Sequence, residues 1–211
     1  MKEIDLKKIR HRLEKELDAK RFEHTLGVAY TASSLAMCHQ EDAERALLAG
    51  MLHDCAKCMS NEKKLEICEK HRIPVTEVER QNPFLLHAKV GSYIARKKYH
   101  IHDEDILNAI RNHTTGRPGM SRLEKIIYIS DYIEPGRKQA PGLSAIRRLA
   151  FQDIDRALLQ ILKDTLDYLQ GMDFPFDPMT QATYDYYVTD QIEDAKAGGK
   201  KCQNHPKKTN R

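Results

Sequence analysis

Apolar residues recur at helical intervals along nearly the whole chain. Ile9, Leu13 and Leu17 return every four residues and predict a first helix with one core-facing stripe. Leu26, Ala29, Ala32, Ser33 and Ala36 predict a second. Ala43, Ala46, Leu47 and Gly50 predict a third that ends near His53. Leu65 and Cys68 mark a fourth, stopped by Pro74, which cannot donate a helical hydrogen bond. Pro83 suits a helix start, and Leu86, Val90 and Ile94 form the stripe that follows. Asp103 is placed to cap a helix carrying Ile106, Ala109, Ile110 and His113. Gly116, Pro118 and Gly119 make Thr114 to Met120 a loop. Ser121 and Glu124 form a capping-box pattern, opening a helix through Tyr132 that Pro135 and Gly136 end. A long helix follows from about Asp153 to Leu169, with Ile154, Ala157, Leu158, Ile161 and Leu162 inward and Gly171 as its C-cap. A loop from Phe174 to Pro178 precedes a last helix near Thr183 to Ala195. There is no alternating strand pattern, no internal repeat and no clear linker. The pattern predicts a single all-α domain over residues 1–195 and a disordered basic tail over 196–211.

Charge sharpens that division. The chain carries 35 Lys+Arg against 31 Asp+Glu, a formal +4. Lys196, Lys200, Lys201, Lys207, Lys208 and Arg211 follow the last acid, Asp194; removing these six leaves 29 against 31, so the body stands at −2. The basic balance belongs to the tail, and the overall charge offers no basic face for nucleic acid on the body. The composition, 40% hydrophobic and 31% charged, is that of a folded soluble chain long enough for a sizeable core. No apolar run reaches the ~18 residues of a membrane span. Met1-Lys2-Glu3 opens on charge without a signal-peptide core, and the odd set Cys38, Cys55, Cys58, Cys68 and Cys202 reads as free thiols; both point to the cytoplasm.

The chemistry lies in the histidines. His53 and Asp54 are adjacent after the small-residue stretch Leu48-Ala49-Gly50-Met51-Leu52. Neighbours on a helix point about 100° apart, so the two could share one ion only at the helix face or its end. Imidazole plus carboxylate suits Zn, Mn or Fe. Alone, the dipeptide reads as a helix-terminal His beside an Asp cap. His24, His87 and His113 change that, as does Asp131, which interrupts the apolar run Ile126 to Ile133. A carboxylate there is costly to bury unless it is paired or metal-bound.

The order H…HD…H…H…D over one helical domain resembles the HD superfamily of metal-dependent phosphohydrolases. The block His113 to Arg137, HTTGRPGMSRLEKIIYISDYIEPGR, is similar to the signature of its YqeK-type branch. RFEHTLGVA, LLHDCAK, NPFLLHAKVGSYIA and DEDILNAIRNHT agree with that branch, so the likeness covers about residues 5–190. Ser130 departs from it, where the family more often has a small apolar residue. The resemblance implies an all-α HD fold and symmetrical cleavage of diadenosine tetraphosphate to two ADP, by attack of a metal-bound water on an inner phosphorus. It implies that His24, His53, Asp54 and Asp131 hold one iron ion, with Mn, Co or Zn, or a second ion, as alternatives. Geometry alone would let His87 and His113 hold that second ion; the resemblance instead gives them phosphate contact or leaving-group protonation, together with Lys57. Arg21, Lys57, Thr114 and Arg137 become phosphate contacts, and Asp177, Pro178, Met179, Thr180 and Gln181 an adenosine-side loop. A homodimer stays open, since no pairing face is identified.

Other features read blandly. Cys55-x-x-Cys58 lacks the βαβ setting of a redox pair and a second ligand pair for zinc, so both are taken as buried or semi-buried thiols. His11, His39, His71, His100 and His102 are taken as surface residues. Tyr184, Tyr186 and Tyr187 are taken as partly core, with a base-stacking platform as the alternative. Two other functions compete: an HD phosphohydrolase for a cyclic nucleotide, deoxynucleotide or guanine alarmone, and a non-catalytic nucleotide-sensing module. The His113–Arg137 block favours the first reading over the former, and the presence of all four expected ligands favours it over the latter. Because the expected phosphate contacts lie in the acidic body, deleting residues 196–211 should leave steady-state hydrolysis nearly unchanged; a large loss of turnover would place function in the tail.

Overall fold

The computed structural model describes residues 5–138, 142–172 and 175–201, with side chains to residue 190. Eleven α-helices and one 3₁₀ turn make up the regular structure of these residues, and no strand is found among them. The first three helices are α1 (Leu6–Glu16), α2 (Ala19–Cys38) and α3 (Ala43–Leu52), each opened by an aspartate: Asp5, Asp18 and Asp42 accept main-chain N–H groups of the first turn. Then come α4 (Asn61–His71), α5 (Glu77–Gln81), the 3₁₀ turn Pro83–Leu86, α6 (His87–Lys98) and α7 (Glu104–Asn112). The chain closes with α8 (Arg122–Ile133), α9 (Leu143–Ala150), α10 (Ile154–Gln170) and α11 (Pro178–Lys201). The expected capping box of Ser121 and Glu124 is formed.

At the centre stands α8, which packs against α2, α3, α7, α9 and α10. Leu123, Ile126, Ile127, Tyr128, Ile129, Ser130 and Ile133 are all buried, which is why this helix is apolar on nearly every side. Next to it, α2 and α3 approach closely through small residues. Ala29, Ala32, Ala36, Ala46 and Ala49 are buried between larger side chains, and a Cβ on Gly50 would lie 2.7 Å from the Cα of Ala29. A smaller cluster of Ala56, Cys68, Leu86 and Val90 seats the turn after α3 on α4 and α6.

Several expectations are corrected. The fourth helix stops before Pro74: Arg72 takes a left-handed conformation, and the Arg72 and Ile73 amides bond back to Glu69 and Cys68. The short α5 and the amphipathic α9 were not anticipated. Gly171 does end α10, but in a right-handed conformation that any residue could adopt. The last helix begins at Pro178, so Pro178 to Gln181 form its first turn and not a loop. That helix runs to Lys201; most of the expected tail, 202–211, lies outside the described residues. The second-helix stripe is broader than Leu26 to Ala36 suggested, because Phe22, Val28 and Leu35 are buried as well. His39 is half-buried, with Nε2 2.6 Å from the Ala150 carbonyl, so it is not a plain surface residue.

The α2–α3 contact generates a test. Gly50→Ala should lower stability by about 1–2 kcal/mol, overpacking outweighing the gain in helix propensity. Urea unfolding monitored by circular dichroism measures this, and an unchanged midpoint would contradict the closeness of the two helices.

Candidate active site

His53 caps the C-terminal end of α3, and its Nδ1 donates to the Gly50 carbonyl at 2.7 Å. His87 follows the 3₁₀ turn and donates from Nδ1 to the Phe84 carbonyl at 2.7 Å. His113 caps α7 and donates to the Ile110 carbonyl, also at 2.7 Å. In each case the acceptor is a main-chain carbonyl three residues back at or beside a helix or 3₁₀ end, and the Phe84 carbonyl takes the His87 main-chain N–H as well. A carbonyl can only accept, so each Nδ1 carries the proton and each Nε2 faces inward with a lone pair.

The inward nitrogens converge. His87 Nε2 lies 3.2 Å from His113 Nε2. Asp54 sits among them, with Oδ1 3.4 Å from His87 Nε2 and 3.6 Å from His113 Nε2, and Oδ2 3.5 Å from His53 Nε2. His24, on α2, reaches in from the other side, its Nε2 3.1 Å from Asp131 Oδ1. Two overlapping ligand triads result: His24, His53 and Asp131, and His53, Asp54 and His113, with each triad's atoms within 4.8 Å of one another. All six residues that the H…HD…H…H…D order singles out are therefore brought together.

The cations come with them. Arg21, in the first turn of α2, donates from Nη1 to Asp54 Oδ2 at 2.7 Å. Arg137 donates from Nη2 to Asp131 Oδ1 at 2.8 Å and from Nε to the Asp131 carbonyl at 3.0 Å. Lys57 reaches the cluster from the turn that follows α3; its Nζ lies 3.1 Å from His87 Nε2. Thr114 Oγ1 lies 3.2 Å from His87 Nε2. The segment Asp177 to Gln181 is not joined to this cluster by any hydrogen bond among the described residues. Asp177 instead caps its own helix by accepting the Met179 N–H, and Thr183, further along, bonds the Thr115 carbonyl. Cys55 is buried and donates to the Gly91 carbonyl, whereas Cys58 is exposed, against expectation, and donates to Asp18, so the two thiols face different partners. Of the tyrosines, Tyr187 is core and its hydroxyl accepts the Met120 N–H, while Tyr186 is exposed.

Burial sets the electrostatics. It pushes the fully buried His53 down to about 4, and with His113 and Lys57 it holds His87 well below the ordinary histidine range. Burial would raise Asp54, but the imidazoles of His53, His113 and His87 hold its carboxyl well below the usual range. Asp131 is likewise lowered, burial being outweighed by His24 and by the charges of the other groups around it. Burial lowers Lys57 against the pull of Asp54. For His24, burial is overcome by Asp131 and Glu134, which raise it.

Three buried atoms of the cluster, His24 Nε2, His53 Nε2 and Asp54 Oδ1, have no hydrogen-bond partner. Neutral imidazole lone pairs aimed at one another and at carboxylates repel unless a cation stands between them. The donor set of nitrogens and carboxylate oxygens fits a divalent transition metal. One participant was missed from sequence: Glu134, buried at the end of α8, whose Oε1 lies 3.1 Å from His24 Nδ1. Nothing local in Ile133-Glu134-Pro135-Gly136 distinguishes it, since its partner is 110 residues away.

Known proteins resemble this chain over most of its length. A family model described as HD domain matches residues 21–136. The chain is 41% identical over 177 residues to the symmetrical bis(5'-nucleosyl)-tetraphosphatase of Bacillus subtilis (strain 168), covering 84% of this chain and 94% of that one. It is 34% identical over 186 residues to the protein of the same name from Staphylococcus aureus (strain NCTC 8325 / PS 47), covering 87% and 95%. The crystal structure of a "predicted HD superfamily hydrolase involved in NAD metabolism" from Clostridium acetobutylicum superposes with a TM-score of 0.85 at 41% identity, over 88% of this chain and 98% of that one.

The buried histidines generate a pH prediction for metal-free protein. Between His53's ordinary 6.5 and its folded value of about 4, the unfolded chain binds a proton that the folded one refuses, so stability falls as pH drops through this window. His87 acts in the same direction. His24, raised in the fold, contributes stability at low pH that is lost as pH rises and so offsets part of the effect. Asp54 and Asp131, lowered in the fold, lose their contribution only below the model-peptide value of 3.8. Urea unfolding in chelator should show a net loss of about 2 kcal/mol between about pH 7 and about pH 4.5. A flat profile would contradict a neutral, buried His53.

Proposed function

The chain belongs to the HD domain family, and we propose that it hydrolyses diadenosine tetraphosphate and related dinucleoside polyphosphates symmetrically, releasing two nucleoside diphosphates. The observation that carries this reading is the convergence of four imidazole Nε2 atoms on two carboxylates, flanked by Arg21, Lys57 and Arg137. Relatives named for that activity, matched over nearly their whole length, supply the substrate.

In this reading His24, His53, Asp54 and Asp131 hold one divalent ion, iron first and Mn, Co or Zn as alternatives. When bound, such an ion activates water and offsets charge on phosphate. The chain's own groups do the rest. Arg21 and Arg137 each spend part of a five-donor guanidinium on Asp54 and Asp131, which steadies both carboxylates and leaves the fork beside the place where phosphate must lie. Thr114 adds a hydroxyl next to His87 and His113. Breaking the central anhydride places the water oxygen on one diphosphate and leaves the bridging oxygen with the other. That leaving oxygen needs a proton. Lys57 Nζ, hydrogen-bonded to His87 Nε2 and lowered by burial, forms with His87 and His113 a group that can hold and pass one. The segment Asp177 to Gln181, which the reading assigns to the adenosine side, opens α11, whose Thr183 bonds the Thr115 carbonyl next to Thr114.

Among the described residues no helix is long and apolar enough to cross a membrane, which suits an enzyme acting on a cytoplasmic nucleotide. Elemental analysis of anaerobically purified protein identifies the ion. Product analysis tests the reaction: metal-loaded protein should give only ADP from diadenosine tetraphosphate, with ¹⁸O from labelled water in half of it. ATP plus AMP, or stronger turnover of a cyclic nucleotide or guanine alarmone, would overturn the assignment. Lys57→Ala should lower kcat by about 10²-fold or more, with a smaller change in KM.

A further inference from the structure

Among the four site histidines, His24 is held differently. His53, His87 and His113 each give their outer proton to a main-chain carbonyl three residues back. His24 sits inside α2, where the carbonyls one turn back are consumed by the helix's own ladder. No helix end is at hand to take its proton, so the acceptor has to come from elsewhere in the fold.

Glu134 supplies it. Its Oε1 lies 3.1 Å from His24 Nδ1, and its Oε2 accepts the Gly136 N–H. The residue is almost fully buried. Its backbone is pinned from three sides: its N–H bonds Ser130, and its carbonyl accepts the Arg137 N–H at 3.0 Å and Arg147 Nη2 at 2.7 Å. The space it occupies exists because two neighbours lack side chains. A Cβ on Gly27, one turn after His24, would lie 2.7 Å from Oε2, and a Cβ on Gly136 2.9 Å from it.

We propose that Glu134 is a positioning residue that fixes His24 in the Nδ1–H tautomer with Nε2 aimed at the metal, and that Gly27 and Gly136 serve as the space for its carboxylate. This rests on the metal-centre reading above. A carboxylate behind a ligating imidazole both orients the ring and raises its basicity. The assignment makes His24, Gly27, Glu134 and Gly136 one functional unit spread over two distant stretches of chain.

The test uses the full chain and Co(II) affinity measured by chelator competition. Glu134→Ala should weaken binding by about 10–100-fold. Glu134→Gln, which keeps an acceptor oxygen, should recover most of that loss. Gly27→Ala should weaken binding although Ala favours a helix interior over Gly, so the metal-free unfolding midpoint should hold or rise while affinity falls. A role limited to folding would move both together. Folded Glu134→Ala and Gly27→Ala proteins that bind Co(II) like wild type would overturn the proposal. If Glu134→Ala fails to fold, Gly27→Ala decides alone. Wild-type protein that binds no Co(II) or Fe(II) would overturn the metal centre itself. Because Asp131 Oδ1 faces Nε2 at 3.1 Å in metal-free protein, the ¹⁵N spectrum of His24 would then judge Glu134 through Nδ1 alone: a protonated Nδ1 in wild type that Glu134→Ala or Gly27→Ala loses is expected, and an unchanged Nδ1 signal would contradict it.

Discussion

A buried imidazole presents one nitrogen inward only if its other nitrogen has an acceptor for its proton. That constraint governs where this site can be built. Helix ends offer carbonyls that the ladder does not use, and His53 and His113 are placed at the ends of α3 and α7, with His87 just after a 3₁₀ turn. Gly50 shows how tightly fold and site are joined. Its missing side chain lets α2 and α3 close together, while its carbonyl takes the His53 proton. The same closeness brings the His24 and His53 rings to 5.4 Å between centroids. Opening the helices would thus move two proposed ligands apart as well as loosening the core.

Much of this was legible in the chain. The stripes of Ile9 and Leu13 or of Ile154, Leu158 and Ile161 report helices because burial on one face repeats with the helical period. The identities and order of His24, His53, Asp54, His87, His113 and Asp131 report the site, because few other arrangements put so many ligand types into one helical body. What stayed hidden shares a cause. Glu134 is defined by a partner 110 residues away, and the acceptor for Arg21 is 33 residues away. No local pattern encodes such pairings. The short α5 offers too few residues for a period, although Thr76 and Glu79 form a capping box. Pro178 looks like loop punctuation in the sequence, yet proline is favoured in a helix's first turn. Ser130, a departure from the family pattern, is fully buried with its hydroxyl unpartnered; no structural reason for it is evident.

The charges around the cluster bear on how an acidic body could take a polyanion. Asp54, Asp131 and Glu134 are three carboxylates at the site, and Arg21, Arg137 and Lys57 are three cations in contact with them or with His87. Leaving the imidazoles aside, of which burial holds His53 and His87 neutral while Asp131 and Glu134 raise His24, these charges sum to about zero. Such balance is what allows the groups to be buried, since an uncompensated interior charge is costly. It also means that the protein alone offers a polyphosphate no net attraction. A divalent ion held by His24, His53, Asp54 and Asp131 would leave the site near +2 among buried groups, where screening by water is weak. On the proposed reading, the ion and the substrate are therefore coupled: the cation that completes the ligand set also creates the field that draws in the phosphates.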